Sequence, residues 1–166
     1  MSNAIPLQGS LRCSRMTVAT RTSAQTLLAA FLAEDAHYRA SASDYGDCGL
    51  PALERALDLI LAHPEIGFVW IAQAVADEVV GCCVACYAIS TSRGAIVVKL
   101  DDVTIRDGWR GRGIGGAMLE ALARQLRAEG VGRIDTACHR DNAGAWRFYE
   151  RLGYRPLDEE RIALLL

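Results

Sequence analysis

Arg110-Gly111-Arg112-Gly113-Ile114-Gly115-Gly116 is the stretch on which the reading of this chain turns. Glycines let main-chain N–H groups turn toward a ligand with no side chain in the way. The apolar-periodic run from Ile114 to Glu129, closed by Gly130, reads as a helix. The first N–H groups of such a helix have no partner within it and lie at the positive end of its dipole. Loop and helix together make an anion site suited to a pyrophosphate, with Arg110 and Arg112 adding charge at its rim.

Two kinds of ligand compete for that site. Gly111-x-Gly113-x-x-Gly116 also fits the dinucleotide fingerprint, with Asp135 placed where a ribose-binding acid could fall. The residues on either side argue against it. A dinucleotide fold runs its strand straight into the first glycine, whereas Arg106-Asp107-Gly108-Trp109-Arg110 intervenes here. Upstream, residues 67–76, 79–90 and 95–105 are rich in β-branched and aromatic residues. Asp77-Glu78 and Ser92-Arg93-Gly94 between them suit antiparallel hairpins, not βαβ units. The remainder of the chain, roughly fifty residues, is too short for a second nucleotide-binding half.

The other elements follow from period and punctuation. Residues 15–20 read as a short opening strand, and Thr22 or Ser23 can cap a helix carrying Leu27, Leu28, Phe31 and Leu32. A turn-rich break at 45–49 precedes Pro51, a good first residue for a helix that runs to about Ala62 and ends before Pro64. Beyond the glycine loop, 133–138 reads as a strand, 142–152 as a helix ended by Gly153, and 161–166 as a last strand. Residues 1–10, with the scar-like Ser2-Asn3-Ala4, are set aside as disordered or tag-derived. Residues 11–166 are expected to form a single domain.

Composition narrows the function classes. Eighteen basic residues against twenty acidic ones give a net charge of −2, without the basic surface that nucleic-acid binding needs. No apolar run is long enough to cross a bilayer and no signal peptide is read, so neither membrane nor export is expected and the cytoplasm is the default. The six cysteines include Cys83-Val-Ala-Cys86. On a strand those two side chains point to opposite faces, so they share neither a zinc ion nor a normal bridge. No second CxxC or histidine pair completes a site, and no metal is expected. The cysteines read as small buried hydrophobes in a reducing compartment.

Three segments together carry a family resemblance. Arg110-x-x-Gly113-x-Gly115 resembles the R/Q-x-x-G-x-G/A signature of the GNAT acetyltransferases, whose loop binds the coenzyme A pyrophosphate. Leu100-Asp-Asp-Val-Thr-Ile105 resembles the fourth strand of that family. Asn142-x-x-Ala145-x-x-Phe148-Tyr149-x-x-x-Gly153-Tyr154 resembles its second conserved block, and the order of elements agrees from about Met16 onward. The resemblance implies an α/β (α+β) fold, a mixed, mostly antiparallel sheet of six to seven strands flanked by four helices. That sheet splays open between strands four and five, and the pantetheine arm of acetyl-coenzyme A enters the gap like an added strand.

The same resemblance implies roles. Main-chain groups of Val103 and Ile105 would pair with the pantetheine amides, and N–H groups from Gly111, Gly113, Gly115 and Gly116 would hold the pyrophosphate. Arg110 and Arg112 would flank it, Asn142 would line the opposite wall, and Arg147 or Arg151 would either approach the adenosine end or stay solvated. Tyr149 would act as general acid, since a phenol of pKa ~10 can protonate a departing thiolate whose conjugate acid lies near ~8.5. An alkylammonium acceptor, with a pKa near ~10, must first lose a proton. Asp101 or Asp102 could take it directly or through water, and strand parity groups Asp101 with Val103 and Ile105 unless a bulge intervenes. Polyamine-type relatives carry Leu-Glu-Asp at this place, so Asp101 would stand for the glutamate. The N–H of Val103 would stabilise the thioester oxygen as charge develops on it.

The resemblance implies that the acceptor would be a primary amine of a small molecule or peptide. Glu34, Asp35, His37, Tyr38 and Tyr45 would border its pocket, and His139 would lie at the cleft mouth or on the surface. Trp70, Trp109 and Trp146 read as packing residues. Two further expectations are a silent acyl-coenzyme A sensor as the alternative to an enzyme, and a homodimer joined through an apolar edge strand at 162–166.

Overall fold

The computed structural model describes residues 11–36, 39 and 49–157. Five strands form one sheet in chain order: β1 (Arg12–Arg15), β2 (Gly67–Gln73), β3 (Val79–Ser90), β4 (Ala95–Ile105) and β5 (Ile134–Thr136). The first four pair antiparallel and only β4 with β5 is parallel. Four helices among the described residues accompany them: α1 (Arg21–Glu34), α2 (Gly49–Ala62), α3 (Ile114–Ala128) and α4 (Ala143–Arg151). The architecture is the mixed sheet expected, with five strands among the described residues instead of six or seven. The strand read at 161–166 lies outside them, and with it the edge proposed for a dimer. The antiparallel front excludes a doubly wound dinucleotide fold, and Asp135 is ion-paired to Arg133 at 2.6 Å.

Each face of the sheet holds its own core, because strand side chains alternate. Phe68, Trp70 and Ala72 of β2 join Val80, Cys83, Val98 and Leu100 beneath α3. That helix buries Ile114, Met118, Leu119, Leu122 and Leu126, a stripe of helical spacing. Val69 and Ile71 of β2 point the other way, onto Leu27 and Leu28 of α1 and Leu57 of α2. The whole of β2 is buried, which fits a strand covered on both faces. Trp70 is core, as its reading required, and its indole N–H donates to the Met118 carbonyl at 3.2 Å.

Several boundaries differ from the sequence reading for local reasons. The opening strand ends at Arg15, not Thr20, because Thr17 and Thr20 exchange bonds that bend the chain into a 3-10 turn over Val18–Thr20. Thr20, rather than Thr22 or Ser23, is therefore the residue before α1. Strand β2 stops at Gln73, three residues short, where Ala76 and Asp77 adopt positive φ of 61° in a tight turn. Strand β5 keeps only three residues of the six expected. Cys83 and Cys86 lie on opposite faces of β3, and Cys13, Cys82, Cys83, Cys86 and Cys138 are free thiols. Among the described residues no cluster could hold a metal ion, and no helix is long and apolar enough to cross a membrane.

Candidate active site

The site is built where β4 and β5 part. Their parallel register runs Val98–Ile134, Lys99–Asp135 and Leu100–Thr136, then stops. From Asp101 to Ile105, β4 has β3 on one edge and no strand of the described residues on the other. A main chain left unpaired in that way can bond an extended ligand as it would a strand. Val103 and Ile105 lie on this open stretch, with their side chains packed toward α3.

The strand also carries a bulge. Cys82 pairs with Thr104 and Val84 with Asp101, so Asp102 and Val103 together face Cys83. Asp102 absorbs the extra residue with φ 51°, in the left-handed region where Asp and Asn are better tolerated than most residues. The bulge breaks the expected parity. Leu100 and Val103 now share the α3 face, while Asp101 opposes Val84 on the α1–α2 side and meets Lys99 at 2.5 Å. Burial first, then the neighbouring Asp101 charge, pushes the Asp102 carboxyl up to about 6, with Lys99 opposing the shift.

The glycine loop follows β4. Gly111 and Gly113 have φ of 74° and 79°, and a Cβ on either would meet nothing within 4 Å. They are bent for main-chain display and face open space. Gly113 caps α3, so the N–H groups of the next residues point into that space. Gly115 also packs closely against α4, where the ring of Phe148 approaches its Cβ position to 3.3 Å, and Gly116 is in ordinary contact with Leu152 just past that helix. Arg110 donates from Nε to the Ile105 carbonyl at 3.0 Å and pairs with Asp107 at 3.2 Å. Arg112 stacks on the Trp109 ring, 5.2 Å from its centroid. Beside the loop a pocket opens between α1 and the end of β4, walled by Leu27, Phe31, Glu34, Thr104, Arg106 and Arg110. The Nε of Arg106 is buried with no hydrogen-bond partner among the described residues, while its Nη1 pairs with Glu78 at 3.3 Å. Open glycines and the first N–H groups of α3 fit a phosphate-bearing ligand.

Helix α4 forms the opposite wall. Asn142 is its N-cap, accepting from the Ala145 N–H at 3.0 Å, so its carbonyl oxygen is committed to the helix and its amide remains for a ligand. Tyr149 stands between Phe148 and Tyr154, each ring centroid 5.2 Å away. Burial pushes its phenol up to about 12; the Thr136 hydroxyl opposes the shift by offering a hydrogen bond, while Cys83, Cys138 and Asp101 add to it. The Tyr154 phenol is raised further, by burial and by Tyr149. Sequence reasoning gave no role to Thr136, Tyr154 or Arg106. Tyr154 closes the second motif and Thr136 lies in the strand read at 133–138, so both were reachable, whereas the Arg106 pocket depends on how α1 crosses β4.

Other sequence-predicted residues fall outside this centre. Arg147 and Arg151 are exposed on α4, and His139 is exposed with its ring 3.9 Å from Asp141. Glu34 ends α1 at the pocket and Asp35 caps it, but His37, Tyr38 and Tyr45 lie outside the described residues.

Comparison with known proteins bears on the family and the fold. Residues 30–154 match the model of the Acetyltransferase (GNAT) family. A possible acetyltransferase from Clostridium difficile 630 superposes with a TM-score of 0.75 at 14% identity, covering 94% of this chain and 97% of that one. Ribosomal-protein-alanine N-acetyltransferase from Brucella melitensis biovar Abortus 2308 gives 0.72 at 15%, covering 95% and 99%. Both likenesses are of fold. An L-ornithine N5-acetyltransferase of Arabidopsis thaliana is 33% identical over 66 residues, 40% of this chain and 29% of the plant protein. With the family match spanning most of its length, this chain belongs to the GNAT acetyltransferase family.

Proposed function

We propose that the protein moves an acetyl group from acetyl-coenzyme A to a primary amine of a small molecule or peptide, by direct attack in a ternary complex. The observation that carries this reading is the gap beyond Leu100–Thr136, with open β4 main chain on one side and Tyr149 on the other. Val103 and Ile105 hold the pantetheine arm through their main chain. Gly111, Gly113, Gly115 and Gly116 offer N–H groups to the pyrophosphate, with Arg110 and Arg112 at its rim and Asn142 across from it. Binding Ile105 requires Arg110 to share or release that carbonyl.

Chemistry falls to two places. Tyr149 gives its proton to the leaving thiolate, and a phenol held protonated at neutral pH is fit to do so. Asp101, on the α1–α2 side and paired with Lys99, takes the amine proton through water, with Asp102 adding negative charge beside it. Acidic groups there, with Glu34 at the pocket, favour a cationic acceptor. The plant relative's ornithine is such an amine, and a diamine or amino acid is the class to try first. Free thiols among the described residues suit a reducing compartment, and the cytoplasm is the proposed location.

Calorimetric titration with acetyl-coenzyme A, with NAD in parallel, tests the coenzyme. Thiol release is then followed with L-ornithine, a linear diamine and an alanyl peptide. Micromolar binding of acetyl-coenzyme A alone and turnover with one amine are expected. Binding without turnover would assign a sensor instead, and NAD binding would overturn the reading.

A further inference from the structure

Lys99 is the only lysine in the chain, whose other basic side chains, histidines aside, are all arginine. It lies on β4 opposite Cys86 of β3 and Asp135 of β5, one residue before Leu100 and Thr136, the last β4–β5 pair. Its Nζ meets Asp101 Oδ2 at 2.5 Å, and both side chains are partly exposed. Asp101 is the first β4 residue past that last pair, so the ammonium stands at the apex of the gap.

An ion pair alone does not account for the choice of residue. Elsewhere among the described residues carboxylates pair with arginine, Glu129 with Arg15 at 2.7 Å and Asp77 with Arg12 at 2.8 Å among them. A guanidinium forks onto a carboxylate at least as well, and it keeps its proton, so it is no nucleophile. An ammonium is the basic group that can become a free amine. The chain carries that side chain once, and bonds it to the carboxylate proposed to take an amine proton.

We propose that Lys99 is itself an acceptor, acetylated on Nζ by acetyl-coenzyme A bound to the same molecule when no other amine competes. The inference rests on the proposed donor and on its thioester lying beyond Leu100–Thr136. Asp101 takes one proton from the Lys99 ammonium and leaves a lone pair on nitrogen. That nitrogen bonds to the thioester carbon, and the carbon–sulfur bond breaks with its electron pair on sulfur. Tyr149 protonates the thiolate and regains a proton from the same nitrogen, while the proton on Asp101 passes to solvent. The products are an Nζ-acetyl-lysine and coenzyme A. The new amide is neutral, so Asp101 loses the cation it held. A nitrogen carried on the same chain needs no second binding event, which is its advantage over a diffusible amine.

The test incubates the protein with acetyl-coenzyme A at neutral pH without amine, then reads a tryptic digest by mass spectrometry. Acetylation blocks cleavage after Lys99, so the fragment of residues 94–106 should appear intact with one acetyl group. Thiol release should stop near one equivalent per chain, and Lys99→Arg, which keeps a cation beside Asp101, should abolish it. The rate constant should saturate with acetyl-coenzyme A and stay the same at every protein concentration. In urea the same lysine should react at least about 100-fold more slowly, because proximity is lost. An amine accepted from the panel above should protect Lys99. An unmodified Lys99 in protein that binds acetyl-coenzyme A overturns the proposal, and turnover of an amine by the same sample shows that it alone has failed. A rate equal to that of the unfolded chain, or one that rises with protein concentration, overturns it as well. Failure to bind acetyl-coenzyme A would remove the donor reading, and this proposal with it.

Discussion

The Cβ that Gly115 lacks would lie 3.3 Å from the ring of Phe148. The first turn of α3 and the aromatic face of α4 therefore pack closer here than a side chain allows without Phe148 giving by a few tenths of an ångström. Phe148 is next to Tyr149, so the loop that displays N–H groups also sets where the phenol stands. Gly115→Val should cost about 1–3 kcal/mol of stability, the usual penalty of overpacking, and should displace α4. Urea unfolding gives the first quantity and kcat the second. Wild-type stability with full activity would show that the contact has slack.

Asp102 makes a pH-dependent prediction. Its folded carboxyl titrates at about 6, against ~3.9 in an unfolded chain, so the native state binds the proton more tightly. The stability this supplies is fully present below pH ~4 and is lost as pH rises through about 6. Asp102→Asn lacks that dependence, and asparagine accepts the left-handed backbone at this place. The variant should gain on wild type between pH 4 and 7, on the order of 2 kcal/mol. Parallel unfolding curves at pH 4, 5.5 and 7 check it, and a constant difference would mean that Asp102 is not desolvated.

That bulge also marks where the sequence stops being legible. Strands β3 and β4 have the bounds that their β-branched and aromatic content and the turns between them predicted, because strand propensity and turn chemistry there agree. Asp101 and Asp102 look alike in sequence, and nothing in either residue announces which will leave the ladder. The extra residue is decided by pairing with β3, a long-range contact that no local pattern encodes. At β1 the cause is local instead: bonds between Thr17 and Thr20, three residues apart, win over strand propensity. The glycine loop was readable for the opposite reason. Positive φ at Gly111 and Gly113 is a local demand that few residues meet, so it is written in residue type.

The loop yields its own prediction. Gly113→Asp puts a carboxylate where a phosphate would lie and forces an aspartate to φ 79° at the start of α3. Losing two charge-assisted hydrogen bonds at about 1.5 kcal/mol each weakens acetyl-coenzyme A at least about 100-fold. Gly113→Ala shares the backbone strain without the charge and should lose much less. Calorimetry on both separates the two causes, and equal losses would assign the effect to the backbone alone.

Tyr149→Phe removes one oxygen and leaves the ring between Phe148 and Tyr154. Acetyl-coenzyme A affinity should be nearly unchanged, because in the proposed mechanism the phenol acts on sulfur only as the bond breaks. Turnover should fall by about 10²–10⁴, the usual worth of general-acid help. With the phenol pushed up to about 12, the acid form persists through the neutral and mildly alkaline range. Wild-type kcat should therefore show no alkaline loss from this group below pH ~10. A Phe variant that turns over like wild type, with the same affinity and the same pH profile, would leave the leaving thiolate to solvent and remove Tyr149 from the chemistry.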